Sequence, residues 1–181
     1  DGDPMKVGVA IVDITAGLFA CNAIQAALRH REKTGEGQYL DISLLDSVIG
    51  WLANVGSNHL ISGQSPKRFG NGHPNIVPYE PFKTADGSYI ALAVGNDGQW
   101  QKLCKLAGKP ELSSDSRFET NPQRVKNREA LRPLVMEIML TRSGNDWLEA
   151  LDREKIPCGP INTLEKVFSD PHVLAREMVS E

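Results

Sequence analysis

Hydrophobic positions change period several times along the chain. After Asp13, the residues Leu18, Phe19, Cys21, Ile24, Ala27, Leu28 and Arg31 recur at helical spacing, and Thr34-Gly35-Glu36-Gly37 stops the pattern. Gln38 to Leu44 then alternates polar and apolar residues, which predicts a half-buried strand. Leu44 to Ile61 is mostly apolar, interrupted by Asp46, Asn54, Asn58 and His59, and predicts a second helix ending at Gly63. From Ser65 to Pro81 the texture turns to Gly, Pro and Asn, with too many prolines for a central strand, so a loop is expected.

A hairpin follows, because Pro81 to Thr84 and Tyr89 to Val94 flank Ala85-Asp86-Gly87-Ser88, and Asp-Gly favours the tight turn that joins antiparallel strands. Helical spacing returns at Asp97 to Ala107, with Trp100, Leu103, Cys104 and Leu106 inward. It returns again at Arg124 to Leu140, which Asn121-Pro122 introduces and Ser143-Gly144-Asn145 closes. A short helix is expected at Asp146 to Lys155, Pro157 to Asn162 leads the chain onward, and Asp170-Pro171 opens one more amphipathic turn. The second half thus predicts a small, helix-rich lobe without repeats or low-complexity segments.

Composition narrows the classes. With 181 residues, 40% hydrophobic and 24% charged, the chain is long enough for a real core and ordinary for a globular protein. A formal charge of −3 with scattered basic residues leaves no field for a nucleic acid backbone. No apolar run is read as approaching the roughly 20 residues that cross a bilayer, no cleavable signal pattern is seen, and a cytoplasmic or organellar-matrix protein is expected. Cys21, Cys104 and Cys158 are far apart, with no Cys-x-x-Cys pair and no suitably spaced His, so no metal site is expected and the thiols are read as reduced and buried. The opening Asp1-Gly2-Asp3-Pro4, with core-like Ile11 soon after, reads as a piece of a longer protein.

Three places could hold chemistry. Asp13 stands between an apolar run and an apolar helix pattern, where a bare carboxylate is disfavoured unless something satisfies or uses it. It is either a helix cap or a nucleophile. Gly70-Asn71-Gly72-His73 is either a plain surface turn or a loop whose backbone N–H groups approach a ligand closely, and His73 suits acid-base work or loop anchoring. Lys33-Thr34-Gly35-Glu36-Gly37 lacks the spacing of a phosphate loop and is read as a helix-ending turn. No Ser-His-Asp order, metal-ligand cluster or dinucleotide fingerprint can be drawn.

Four stretches, in order, resemble the class III CoA-transferases: Val9 to Leu18; His30 to Gln38 before Asp41 to Asp46; Gly72 to Tyr79; and Ile156 to Ile161. They span nearly the whole chain and match the middle of a longer family chain, whose first half and C-terminal tail would lie outside this sequence. The resemblance implies an α/β fold: a Rossmann-type large CoA-binding domain joined to a small α+β domain, in chains that interlock as a homodimer at full length. Residues 1–64 would belong to the large domain and carry the nucleophile helix, 65–160 would form the small domain with the glycine loop, and 161–181 would begin the return linker or helix.

By the same resemblance, Asp13 would attack the acyl-CoA thioester and pass through an aspartyl anhydride and an aspartyl-CoA thioester. The helix start after Asp13 would favour its ionised form, so cap geometry and nucleophile can coincide. Gly70, Asn71, Gly72 and His73 would match the loop that covers the intermediate and excludes water, with two glycines interrupted by Asn71 where some members carry a longer run. Leu44 would sit near the CoA thiol end as a packing contact. CoA and acyl-CoA enter as substrates with no permanently bound cofactor; the other partner is a small carboxylic acid, with neither nucleic acid nor membrane. Two alternatives stay open. One is an α-methylacyl-CoA racemase of the same fold, which Ile14-Thr15-Ala16 fits less well because glycines tend to follow the aspartate there. The other is a non-catalytic oligomerisation fragment that leaves apolar surface bare.

Overall fold

Helix α1 (Ile11–Thr34) runs from the apolar stretch around Asp13 to Gly35, whose positive φ of 80° lets its N–H reach back to Arg31 O at 2.8 Å. Ala, Gly and Cys between Ala16 and Ala27 fill its surface without confining the apolar residues to one stripe. By length and composition α1 could therefore cross a membrane, contrary to the expectation that no segment could. Small residues make that span, and a search for large side chains overlooks them. The computed structural model describes residues 3–179 and divides the chain into two units, Asp1–Arg68 and Phe69–Glu181.

In the first unit, α2 (Leu44–Gly50) packs along α1 and is capped by Ser43, whose Oγ accepts the Asp46 N–H at 3.2 Å. α3 (Ala53–Ser62) follows and ends at Gly63. The single helix expected over Leu44 to Ile61 is thus two, broken at Trp51 and Leu52, with Ala53 at a φ of 40°. The strand expected at Gln38 to Leu44 is not formed. The alternation is present, but among the described residues no strand lies beside it to complete a ladder.

The second unit carries a three-stranded antiparallel sheet ordered β1 (Tyr79–Lys83), β2 (Tyr89–Ala93), β3 (Cys158–Pro160). The predicted hairpin is present, with Pro81 opposite Ala91 on the edge strand, where a missing N–H is tolerated. At its turn Gly87 takes a φ of 81° and donates to Thr84 O at 3.0 Å. β3 escaped the pattern because it is three residues long and contains Gly and Pro.

Helices α4 (Asp97–Leu106), α5 (Asn121–Lys126), α6 (Arg128–Met139) and α7 (Gly144–Arg153) belong to the same unit, and Phe82, Ile90, Leu92, Trp100, Leu103, Phe118, Leu131, Val135, Trp147 and Leu151 make its core. The helix expected over Arg124 to Leu140 divides at Asn127, whose Nδ2 donates to Gln123 O at 2.9 Å and Arg117 O at 3.1 Å, competing with helix continuation. Two short helices, α8 (Leu164–Phe168) and α9 (Pro171–Ala175), follow, and Asp170 caps the latter.

The cysteines are unpaired in the structure and, against the expectation of burial, not uniformly buried. Cys104 lies in the core, where burial pushes its thiol up to about 12. Cys158 is half-buried and raised by desolvation and then by Asp152, whereas Cys21 is exposed.

Candidate functional site

Asp13 is the third residue of α1, and the N-cap is Ala10, which offers no side-chain acceptor. Ile14 N–H is the first to find an intrahelical acceptor, Ala10 O at 3.1 Å, so the N–H groups of residues 11–13 form the uncompensated positive end of the helix. The Asp13 side chain is exposed, and among the described residues its carboxylate makes no hydrogen bond or ion pair. The cap reading therefore does not hold. Asp13 sits inside the first turn instead of ahead of it, on the helix end that favours a carboxylate, with its oxygens unoccupied.

Leu44 belongs to the same unit, at the first turn of α2 and about half exposed (51%). A small cavity of about 220 Å³ in this unit is lined by Phe19 of α1 and by Asp41, Ile42, Ser43, Asp46 and Ser47, and not by Leu44. Among the described residues no group of three or more His, Cys, Asp or Glu is placed to hold a metal ion.

Gly70, Asn71, Gly72 and His73 open the second unit as a tight turn. Gly70 takes a φ of 58°, and the Gly72 N–H returns to Phe69 O at 2.9 Å. A Cβ on Gly72 would lie 3.1 Å from that carbonyl, so a side chain there would crowd the turn. The His73 N–H donates to Tyr79 O at 2.9 Å. Two of the loop's four N–H groups are thus spent internally, and those of Gly70 and Asn71 remain at the tip. His73 Nδ1 accepts the Asn75 N–H at 3.1 Å, and the ring stacks on Tyr79 with centroids 5.1 Å apart. That geometry anchors His73 in the loop through its Nδ1 and its ring face.

Sequence reasoning missed the residues that fix this loop. Arg124 is fully buried and donates to Val77 O at 2.7 Å, Phe118 O at 3.0 Å, Glu119 O at 3.2 Å and Asp97 Oδ1 at 2.8 Å. Asn121 accepts the Val77 N–H at 3.2 Å and donates to Asn75 O at 2.8 Å. Arg128 donates to His73 O at 3.2 Å and Pro74 O at 2.6 Å, and its guanidinium lies 4.9 Å from the Phe69 ring centroid. A signal existed: Arg124 and Arg128 are four residues apart, beside the apolar positions Val125 and Leu131, where charge has no reason to lie unless something pairs with it.

The whole chain, residues 1–181, matches the family described as CoA-transferase family III. A succinate–glutarate CoA-transferase of Agrobacterium fabrum is 47% identical over 97% of this chain and 44% of its own length. The human succinyl-CoA:glutarate CoA-transferase is 40% identical over 100% of this chain and 41% of its own. A crystal structure of a CaiB/BaiF family protein from Brucella suis, 49% identical, superposes with a TM-score of 0.75 over 98% of this chain and 47% of that one. A crystal structure of a protein from M. tuberculosis, 27% identical, reaches a TM-score of 0.84 over 99% of this chain and 47% of that one. The chain spans less than half the length of the curated relatives it matches.

Proposed function

This chain belongs to CoA-transferase family III, and on that premise we propose that the full-length protein transfers CoA from an acyl-CoA such as succinyl-CoA to a carboxylic acid such as glutarate, with Asp13 as the nucleophile. The observation that supports it is the family match over the whole chain, together with an exposed, unoccupied carboxylate on a helix amino terminus. The two relatives at 47% and 40% identity are named for succinate or succinyl-CoA and glutarate, which supports a dicarboxylate donor and acceptor.

In the proposed sequence the Asp13 carboxylate attacks the thioester carbonyl, the C–S bond breaks, and an aspartyl-acyl anhydride and CoA thiolate form. The thiolate then attacks the aspartyl carbonyl, expelling the donor carboxylate and leaving an aspartyl-CoA thioester. The acceptor carboxylate attacks that thioester and displaces the thiolate, which finally attacks the acceptor's acyl carbon and restores the free carboxylate. Each step exchanges one leaving group for another, so the hard transfer is divided into easier ones. The uncapped N–H groups of residues 11–13 place the positive end of the helix dipole beside the carboxylate. Leu44 is assigned to packing near the thiol end, and the loop at Gly70 to His73 to excluding water during turnover, because both intermediates hydrolyse when wet. CoA and its esters are substrates here, and the working unit is a homodimer.

Full-length protein mixed with succinyl-CoA and a panel of carboxylic acids is expected to form the acceptor's CoA ester, and the 181-residue chain alone is expected to form none. Absence of transfer to every acceptor by the full-length protein would overturn the activity. Turnover by the chain alone would overturn its dependence on the rest of the polypeptide.

A further inference from the structure

We infer that Arg128 is a positioning residue that ties together the two limbs of the 69–74 loop, and that it sets how often the reacting thioester is lost to water. The inference rests on the water-excluding role proposed above for that loop. Its structural ground lies wholly within the second unit.

The incoming limb is held at Phe69, whose ring lies under the guanidinium at 4.9 Å. The outgoing limb is held at His73 and Pro74, whose carbonyls accept from Nη1 and Nη2 at 3.2 and 2.6 Å. One planar fork therefore spans the loop, with stacking on its face and hydrogen bonds at its edge, a combination that lysine cannot reproduce. Gly72 lies between the limbs, and a Cβ there would come within 3.9 Å of Nη1.

The position of Arg128 in its own helix points the same way. It is the first residue of α6, where the helix dipole disfavours a cation. The side chain thus stands where the loop, not the helix, requires it. Farther along the chain, Val77 is held independently by Arg124 and Asn121. Loss of Arg128 should loosen residues 69–74 and leave Val77 in place.

The expected consequence follows from the chemistry. When the loop loosens, water attacks the aspartyl-CoA carbonyl in place of the acceptor carboxylate. The C–S bond breaks, CoA leaves as the thiol, and the Asp13 carboxylate is restored without any acyl product. The ratio of free CoA to transferred CoA therefore reports loop closure.

In full-length protein, Arg128→Gln is expected to raise that ratio about tenfold, as loss of a charge-assisted, two-pronged contact implies. Amide exchange at Gly72 and His73 should quicken by about the same factor while Val77 stays unchanged. Arg128→Lys should give a smaller rise in both. Arg132→Gln, which removes only the ion pair to Glu80, should give none. If Arg128→Gln does not fold, Phe69→Leu tests the same tie from the other limb, and a rise in both readouts is again expected. Unchanged exchange at Gly72 and His73 overturns the tie itself. Faster exchange with an unchanged ratio overturns its role in excluding water. A full-length protein that transfers no CoA before any substitution overturns the functional reading, a failure distinct from either of these.

Discussion

Asp13 and Asp86 are both exposed carboxylates close to helix amino termini, and they differ in what their oxygens accept. Asp86 takes hydrogen bonds from Thr84 Oγ1 at 2.6 Å, Ser88 Oγ at 2.8 Å, Ser88 N at 3.2 Å and Gly144 N, at the start of α7, at 3.3 Å. Those bonds, the Thr84 and Ser88 hydroxyls first, hold its carboxyl group well below the usual carboxylate range. Asp86 therefore works structurally, joining the β1–β2 turn to α7, while Asp13 has oxygens available for chemistry. Because the Asp86 proton leaves more readily in the folded chain, the stabilisation is fully present above the unfolded-state value of about 4 and is lost as pH falls through the lower folded value. Asp86→Asn is expected to lower Tm near neutral pH, with the gap to the unaltered protein closing as pH drops below that range. Thermal melts across pH check this, and a gap independent of pH would contradict it.

At the scale of elements, α5 matters for what it fastens. Its buried Arg124 satisfies three backbone carbonyls and Asp97, and so joins the approach to β1 with the segment before α5 and the amino end of α4. Arg124→Leu leaves those carbonyls buried without donors and is expected to cost about 3 kcal/mol, measurable by urea unfolding. A loss under about 1 kcal/mol would contradict the assigned role. Patterns governed by local chemistry were legible at this scale. The Asp86-Gly87 turn placed the hairpin, and the inward spacing of Trp100, Leu103 and Cys104 placed α4. What depended on a distant partner was not legible. Gln38 to Leu44 alternates like a strand but meets no ladder, β3 is recognisable only through its pairing with β2, and the break at Asn127 arises from a side chain reaching Arg117 O.

For the molecule as a whole, the two units bury their apolar residues very differently. The second encloses Trp100, Phe118, Leu131 and Trp147 completely, whereas the first leaves Leu18, Phe19, Leu60 and Ile61 exposed, the last at 87%. The relatives that the chain matches are more than twice as long as it is. Family membership was legible because four separated stretches keep one order along the chain, and Asp13 stood out because a lone carboxylate in an apolar context requires a reason. The two arginines carried a signal, but their partners were not legible, since Arg124 reaches Val77 O and Arg128 reaches His73 O some fifty residues away. The most direct test of the central claim is to trap full-length protein with hydroxylamine during turnover of acyl-CoA and to map the modified peptide by mass. A hydroxamate at Asp13 is expected; continued transfer with modification at a different residue would rule Asp13 out as the nucleophile.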